Sequence, residues 1–282
     1  MLIGLLHPGE MGSAVGAVLV RRGHQVLWAS EGRGPETARR AEAAGLTDAS
    51  SLQEVAGRSE VILSVCPPHA ARDVAHLVSD AGFRGVYVDA NAVSPATTCA
   101  VGAIVQAGGA TFVDGGIVGL PPRRPGSTRL YLSGAAAGRI AALFEGGELE
   151  AQVLSPEPGA ASALKMAYAA WTKGSSALLL SALSAARANG VEEALRGEWA
   201  RSQAGLAERA EGAAAQAASK GWRWVGEMEE IAATLAAAGL PDGFHLAAAE
   251  IYRRPGRDAE AAADGRTLDA VVADLLKNEP AG

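Results

Sequence analysis

Short apolar runs alternate with longer amphipathic stretches through the first part of the chain. The runs are Met1–Leu6, Gln25–Trp28, Glu60–Val65, Gly85–Asp89 and Thr111–Asp114. Each is too short for a helix and ends on a turn signal, which predicts buried strands. Between them, helical spacing covers Ser13–Arg22, Pro35–Ala44, Ala70–Ser79 and Pro95–Ala107. Arg129–Leu132 and Gln152–Leu154 predict two late strands around a helix at Ala135–Phe144. This alternation predicts an α/β domain, a Rossmann-type doubly wound parallel sheet with helices on both faces. After Ser155-Pro156-Glu157-Pro158 the strand pattern stops, and the two prolines mark a boundary. The expected organisation is therefore an α/β domain over residues 1–155 and an all-helical domain over 156–282. The latter opens with a long interdomain helix over Gly159–Asn189, stopped at Asn189-Gly190. Further helices are expected at Val191–Leu206, Ala207–Ser219, Val225–Ala238, Gly243–Tyr252 and Thr267–Leu276.

The first turn carries chemistry. His7-Pro8-Gly9-Glu10-Met11-Gly12 follows a strand and opens a helix, the setting of G-x-G-x-x-G, with His7 in the first glycine place. Gly9 would let the backbone approach a pyrophosphate, and Gly12 would let helix and strand pack closely. The phosphates would lie at the helix N-terminus, where free N–H groups and the dipole favour an anion. At the end of the second strand, Ser30 stands where an acid would bind the ribose of NAD, with Arg33 just beyond. A hydroxyl donor and a guanidinium suit a 2′-phosphate, so NADP is expected over NAD, although Glu31 could take the ribose instead. Ligands bind at the carboxyl ends of parallel strands. Cys66, Pro67 and Pro68, Asn91, and Gly115-Gly116 are thus candidate lining of one crevice. Cys66 has no histidine–acid partner that would make it a nucleophile, and His69 and His76 have no metal-ligand partner.

Lys165 sits alone in the small, apolar run Gly159–Ala170. On a helix, Ser162, Lys165, Ala169, Thr172 and Ser176 share one face. Leu164, Tyr168, Trp171 and Leu178 form another edge, expected to pack. The lysine has two readings: a proton donor or substrate anchor, or a side chain lying along apolar surface with its ammonium in water. His245 has only Ala248 and Ala249 on its face one turn on, and Asp242 is expected to cap its helix.

Composition narrows the choice. Of 282 residues, 49% are hydrophobic and 20% charged, enough apolar content for a full core. Net charge is -6 without a basic stripe, so nucleic acid is not an expected partner. Two cysteines, Cys66 and Cys99, outside any CxxC pattern argue for a reducing compartment. No apolar run reaches the length of a membrane span, and no secretory leader is evident. A cytoplasmic protein, with no membrane partner and no metal, is the expectation. The small residues of the later helices suit close packing in a dimer.

Taken together, His7–Gly12, Asp114-Gly115-Gly116-Ile117-Val118-Gly119 and Gly159–Lys165 resemble, in this order, three segments of the β-hydroxyacid dehydrogenase and 6-phosphogluconate dehydrogenase-like superfamily. The chain looks closest to a branch with a phosphogluconate-dehydrogenase-like C-terminal domain. The resemblance implies an NAD(P)-dependent oxidoreductase and a homodimer. It also implies a hydride exchanged between nicotinamide and a small carbonyl or hydroxy compound, with Lys165 as general acid/base. It places Gly116, Val118, Tyr168, Trp171, Thr172 and His245 around a small-molecule substrate. Two departures stand out. A family serine that helps hold a substrate carboxylate is Val118 here, and a family asparagine four residues after the lysine is Ala169. Imine reductases are relatives that also lose these contacts, which makes C=N reduction the alternative. An NADP-binding protein without turnover is a third reading.

Overall fold

The computed structural model describes residues 1–255 and 266–277. The chain divides into two compact units, Met1–Met166 and Ala167–Gly282.

The first unit is built on an eight-stranded sheet. In chain order its strands are β1 (Leu2–Leu6), β2 (Gln25–Trp28), β3 (Thr47–Asp48), β4 (Val61–Ser64), β5 (Val86–Asp89), β6 (Thr111–Gly119), β7 (Thr128–Ser133) and β8 (Leu149–Ser155). Across the sheet they run β3-β2-β1-β4-β5-β6-β7-β8. The helices are α1 (Glu10–Arg21), α2 (Pro35–Ala43), α3 (Leu52–Arg58), α4 (Ala71–Asp80), α5 (Pro95–Ala107) and α6 (Ala137–Ala142). A 3-10 turn at Pro68–Ala70 leads into α4. The order reverses at β1, where the chain crosses from β3 on one side to β4 on the other, the place where such sheets open a ligand crevice.

Strand alternation separates two cores. From β1, β4 and β5, Ile3, Leu5, Val61, Leu63, Val86 and Val88 join Val15, Val18, Leu19 and Ile140 of α1 and α6. Their neighbours Leu6, Ile62 and Tyr87 join Val55 of α3, Val74 and Val78 of α4, and Val101 of α5. Both faces are covered, which is why these strands read as continuous apolar runs.

Three expectations need correction. The sheet is not wholly parallel: β6 and β7 are antiparallel. The strand expected to end at Asp114 runs on through Gly115–Gly119 and pairs with β7 from Gly115↔Leu132 to Gly119↔Thr128. Glycines weaken a strand's local signal, yet ladder pairing holds them extended here. Finally, β3 and α3 were not legible as elements: β3 is two residues long, and α3 is one short helix capped by the Ser51 side chain at the Glu54 N–H.

α7 (Ala160–Ala188) begins in the first unit and continues into the second. The second unit adds α8 (Glu192–Ser202), α9 (Leu206–Ala237), α10 (Gly243–Arg253) and α11 (Leu268–Leu275). The two helices expected over Ala207–Ala238 are one 32-residue helix. Gly221, in the stretch that suggested a break, sits where an added Cβ would lie 3.3 Å from the Tyr252 carbonyl oxygen, so its small size serves the packing of α10 on α9. Lys173 of α7 makes an ion pair with the buried Glu227 of α9 and lies 4.8 Å over the Trp224 ring. The Tyr252 hydroxyl donates to the Lys173 carbonyl at 2.6 Å. Asp242 occupies the N-cap position of α10 without a side-chain cap bond. Tyr168, Trp171 and Leu178, expected to pack, are exposed, Trp171 by 72%.

Candidate active site

The crevice forms where β1, β2, β4 and β5 end. His7 closes β1 in the left-handed region, at φ 64°, which only glycine adopts freely. Its carbonyl accepts from the Gly9 N–H at 2.7 Å, which folds the turn tightly. At Gly12 a Cβ would come within 2.5 Å of that same carbonyl, so only glycine lets α1 start so close to β1. Around Gly9 an added Cβ would meet nothing within 4 Å. That open space lies at the N-terminus of a twelve-residue helix with no side-chain cap bond, room for a pyrophosphate at the positive end of its dipole. Pro8 is buried, while Glu10 and Met11 open the helix.

Beside this turn is a cavity of about 200 Å3 lined by Leu5, Leu6, His7, Ala29, Glu31, Arg33, Leu52, Val74 and Leu77. It combines apolar walls with a few polar groups, the usual make-up of a nucleotide's adenosine site. A larger cleft, about 610 Å3, lies in the second unit among Arg187, Glu192, Arg196 and Asp269. Those charges are paired with one another, and no strand end reaches the cleft, so the smaller cavity is the better candidate. Burial, helped by Arg33, pushes the His7 imidazole down to about 4, so it is neutral near pH 7. Arg33 is exposed and follows a turn through Gly32 in which its N–H bonds the Ser30 carbonyl. Ser30 itself faces Asp48 of β3. Burial pushes the Asp48 carboxyl up, but the Ser30 hydroxyl and the Ser50 and Ser30 N–H groups more than offset this and hold it below the usual range. Sequence reasoning missed Asp48, because its strand is too short to be seen.

Asn91 braces the crevice floor. Its Oδ1 accepts from the Cys66 N–H at 2.6 Å, its Nδ2 donates to Ser64 Oγ, and its N–H bonds Asp89. This ties the ends of β4 and β5 together and sets the Cys66-Pro67-Pro68 corner. Burial pushes the Cys66 thiol up to about 12, so no thiolate is available there.

The lysine is positioned from β6. Asp114, Gly116 and Val118 lie on one face of that strand, since alternate residues share a face. The buried Asp114 Oδ2 accepts from the N–H groups of Gly159, Ala161 and Ser162 at 2.8, 3.0 and 3.1 Å. Its Oδ1 accepts from Ser162 Oγ at 2.5 Å, and Ser133 Oγ donates to Oδ2. A carboxylate thus satisfies the free donors of the α7 N-terminus and complements its dipole. Two residues on, a Cβ at Gly116 would lie 2.7 Å from the Ala161 carbonyl oxygen and 3.0 Å from Lys165 Cβ. Gly116 therefore lets α7 lie against β6 at the turn that carries Lys165, itself half-buried. Val118 is buried next along the same face. The Asp114–Ser162 anchor was not foreseen, although both residues stood in segments singled out for other reasons.

In the second unit, Tyr168 and Trp171 are exposed on α7, and the Thr172 hydroxyl bonds the Tyr168 carbonyl of its own helix. His245 is buried on α10, its Nε2 3.2 Å from the Ala170 carbonyl and its Nδ1 without a hydrogen-bond partner. Gly174 makes that approach possible: a Cβ there would be 2.9 Å from His245 Nε2. Among the described residues there is no cluster of metal-ligand type and no helix long and apolar enough to cross a membrane.

Comparison with known proteins bears on the family and the fold. Residues 2–92 match the family described as NADP oxidoreductase coenzyme F420-dependent, and residues 186–254 match a domain of unknown function, DUF1932. The conserved protein MTH1747, whose structure is described as similar to 3-hydroxyacid dehydrogenases, is 29% identical, with a TM-score of 0.64 over 90% of this chain and 98% of that one. The 3-hydroxyisobutyrate dehydrogenase of Salmonella typhimurium is 18% identical, with a TM-score of 0.68 over 98% of this chain and 99% of that one. The chain has the hydroxyacid dehydrogenase fold. The reductive aminase of Aspergillus terreus, solved with NADPH and ethyl levulinate, shares that fold at 18% identity and a TM-score of 0.56, over 96% of this chain and 98% of that one. The matched family and these structural neighbours are those of NAD(P)-dependent oxidoreductases.

Proposed function

We propose that the chain is an NADP-dependent oxidoreductase that moves a hydride between nicotinamide and a small carbonyl or hydroxy compound, with Lys165 as general acid/base. The observation that carries this reading is the placement of Lys165. Asp114 and Gly116, on one strand face, fix the first turns of α7 and hold the lysine's helix against the sheet. The nucleotide's fit rests on the open space at Gly9, the N-terminus of α1 and the cavity walled by His7 and Arg33.

When bound, the nicotinamide supplies or accepts the hydride. The protein's residues do the rest. The α1 N-terminus and Gly9 hold the pyrophosphate, and Arg33 supplies the cation for a 2′-phosphate. Asn91 fixes the β4 and β5 corners that line the crevice. Lys165 Nζ delivers a proton to the oxygen of the reacting carbon in reduction and removes it in oxidation. Residues 1–155 would serve as the nucleotide-binding part, and residues 156–282 as the substrate part and the contact surface of a homodimer. Tyr168, Trp171, Thr172 and His245 would border the substrate.

Lys165→Ala is expected to lower turnover about 100-fold or more while nucleotide still binds, the usual scale of a lost general acid. Near-normal turnover would remove the lysine from the mechanism. A fluorescence titration with NADPH and NADH tests the cofactor, and tighter NADH binding would overturn the role given to Arg33. The buried, apolar Val118 beside the lysine's strand face favours a second reading, reduction of an imine, whose substrate presents no carboxylate to be held. An iminium needs no proton from Lys165, so in a panel of a keto acid, an aldehyde and a cyclic imine only the last would survive Lys165→Ala.

A further inference from the structure

His7 is the oddest residue of the nucleotide turn. It holds a left-handed conformation, φ 64°, in the place where a glycine would sit without strain. An L-residue kept there against its preference points to a use for its side chain. That side chain lines the same small cavity as Arg33, and its Nδ1 is buried without a hydrogen-bond partner. Ser30, the other donor expected to meet a 2′-phosphate, spends its hydroxyl on Asp48.

We propose that His7 recognises the 2′-phosphate of NADP by taking up a proton as the phosphate settles beside it and Arg33. The inference rests on the nucleotide-binding reading and adds to it a residue that sets phosphate preference and makes that preference depend on pH. In the free protein, burial and Arg33 keep the imidazole neutral, down to about 4. A phosphate dianion in the cavity reverses both influences: it offsets Arg33 and stabilises an imidazolium. The proton comes from the buffer, and no covalent bond changes. Two charged groups share the cavity with the imidazole, Arg33 and Glu31 from the loop after β2. Glu10 stands at the start of α1. At the end of β4 the Cys66 thiol is held protonated by burial. β1, α3 and α4 contribute only Leu5, Leu6, Leu52, Val74 and Leu77.

The test is isothermal titration calorimetry of the full chain with NADP+ and NAD+, in two buffers of different ionisation enthalpy, from pH 6 to 8. The wild type is compared with His7→Gly, which restores a residue suited to the turn. The His7→Gly profile also removes the phosphate's own ionisation from the comparison. With NADP+ the wild type is expected to take up more protons than His7→Gly, by up to one. Its affinity relative to the variant should fall about ten-fold between pH 6 and 8, within the limit of one decade per pH unit for a single linked proton. With NAD+ the two proteins should show no such difference. In a ring-nitrogen NMR titration of the wild type, the His7 imidazole should titrate at higher pH with NADP+ bound than without. Equal proton uptake for NADP+ in both proteins, or an unmoved His7 ring, overturns the proposal and leaves nucleotide binding intact. The same uptake with NAD+ assigns the proton to the pyrophosphate and also overturns it. Failure of both proteins to bind either nucleotide removes the nucleotide reading itself, and this proposal with it.

Discussion

Asp114→Asn tests how the sheet holds the helix that carries Lys165. The carboxylate accepts three N–H groups of the α7 N-terminus and the hydroxyls of Ser133 and Ser162. Asparagine keeps the shape. Its oxygen can replace Oδ2, and its amide can donate to Ser162 Oγ, which then donates to Thr98 Oγ1, 2.6 Å away. What is lost is charge. Hydrogen bonds to charged groups contribute about 1.5–3 kcal/mol and neutral ones about 0.5–1.5. Three weakened bonds, less the relief of no longer burying a charge, give a loss of about 2 kcal/mol. In Asp114→Ala the Ala161 N–H keeps Ser133 Oγ and the Ser162 hydroxyl keeps Thr98 Oγ1, but the Gly159 and Ser162 N–H groups and the Ser133 hydroxyl lose their acceptor, and at about 1–3 kcal/mol for each the loss should exceed about 3 kcal/mol. In thermal unfolding followed by circular dichroism, the asparagine variant should melt about 4–8 °C lower, at about 2–4 °C per kcal/mol for a unit of this size. Urea midpoints should rank wild type above asparagine above alanine. An alanine variant within about 1 kcal/mol of wild type would refute the reasoning, because a lone cap residue costs about that much.

Gly116→Ala should destabilise by about 1–3 kcal/mol, the range for overpacking, since its Cβ would meet the Ala161 carbonyl at 2.7 Å; a urea melt measures the loss, and turnover should fall with it as the Lys165 turn is pushed off β6. His7 gives a pH dependence whose sign follows from its protonation. Burial and then Arg33 lower the folded-state imidazole from 6.5 to about 4, so between these values the unfolded chain binds the extra proton. Stability should therefore be complete above pH 6.5 and fall on acidification to pH 4 by roughly 3 kcal/mol, at ~1.4 kcal/mol per pH unit. Denaturant melts across this range should be flatter in His7→Gly, and an unchanged slope would contradict the assignment. Lys173→Met removes the ion-pair partner of the buried Glu227 and should cost about 3–5 kcal/mol, while Lys173→Met combined with Glu227→Leu should recover most of it in a double-mutant cycle.

The strands and most helices of the first unit were legible because burial on both faces of a sheet writes itself as short apolar runs between amphipathic segments. The turn from His7 to Gly12 was legible for a similar local reason, since its glycines answer to neighbours within a few residues. Where an element was two residues long, as β3 is, no period could form, and Asp48 with its hold on Ser30 stayed hidden. The break expected within α9 failed differently: Gly221 looks like an interruption locally, yet its smallness is explained by Tyr252, thirty-one residues on. Likewise Trp171 and Tyr168 have the composition of packing residues, and only the placement of neighbours shows that they are exposed.

The amino-acid order alone determined the α/β architecture, the nucleotide turn and the prominence of Lys165, all of which depend on spacing along the chain. Tertiary structure decided what that lysine stands on. Asp114 and Ser162 are forty-eight residues apart, and no local period joins them; they meet because β6 brings a carboxylate to the unpaired N–H groups at the start of α7. The same distinction separates His7 the apparent defect in a glycine motif from His7 the cavity wall beside Arg33. The first is visible in six residues, while the second requires β1 and β2 to end side by side in one sheet.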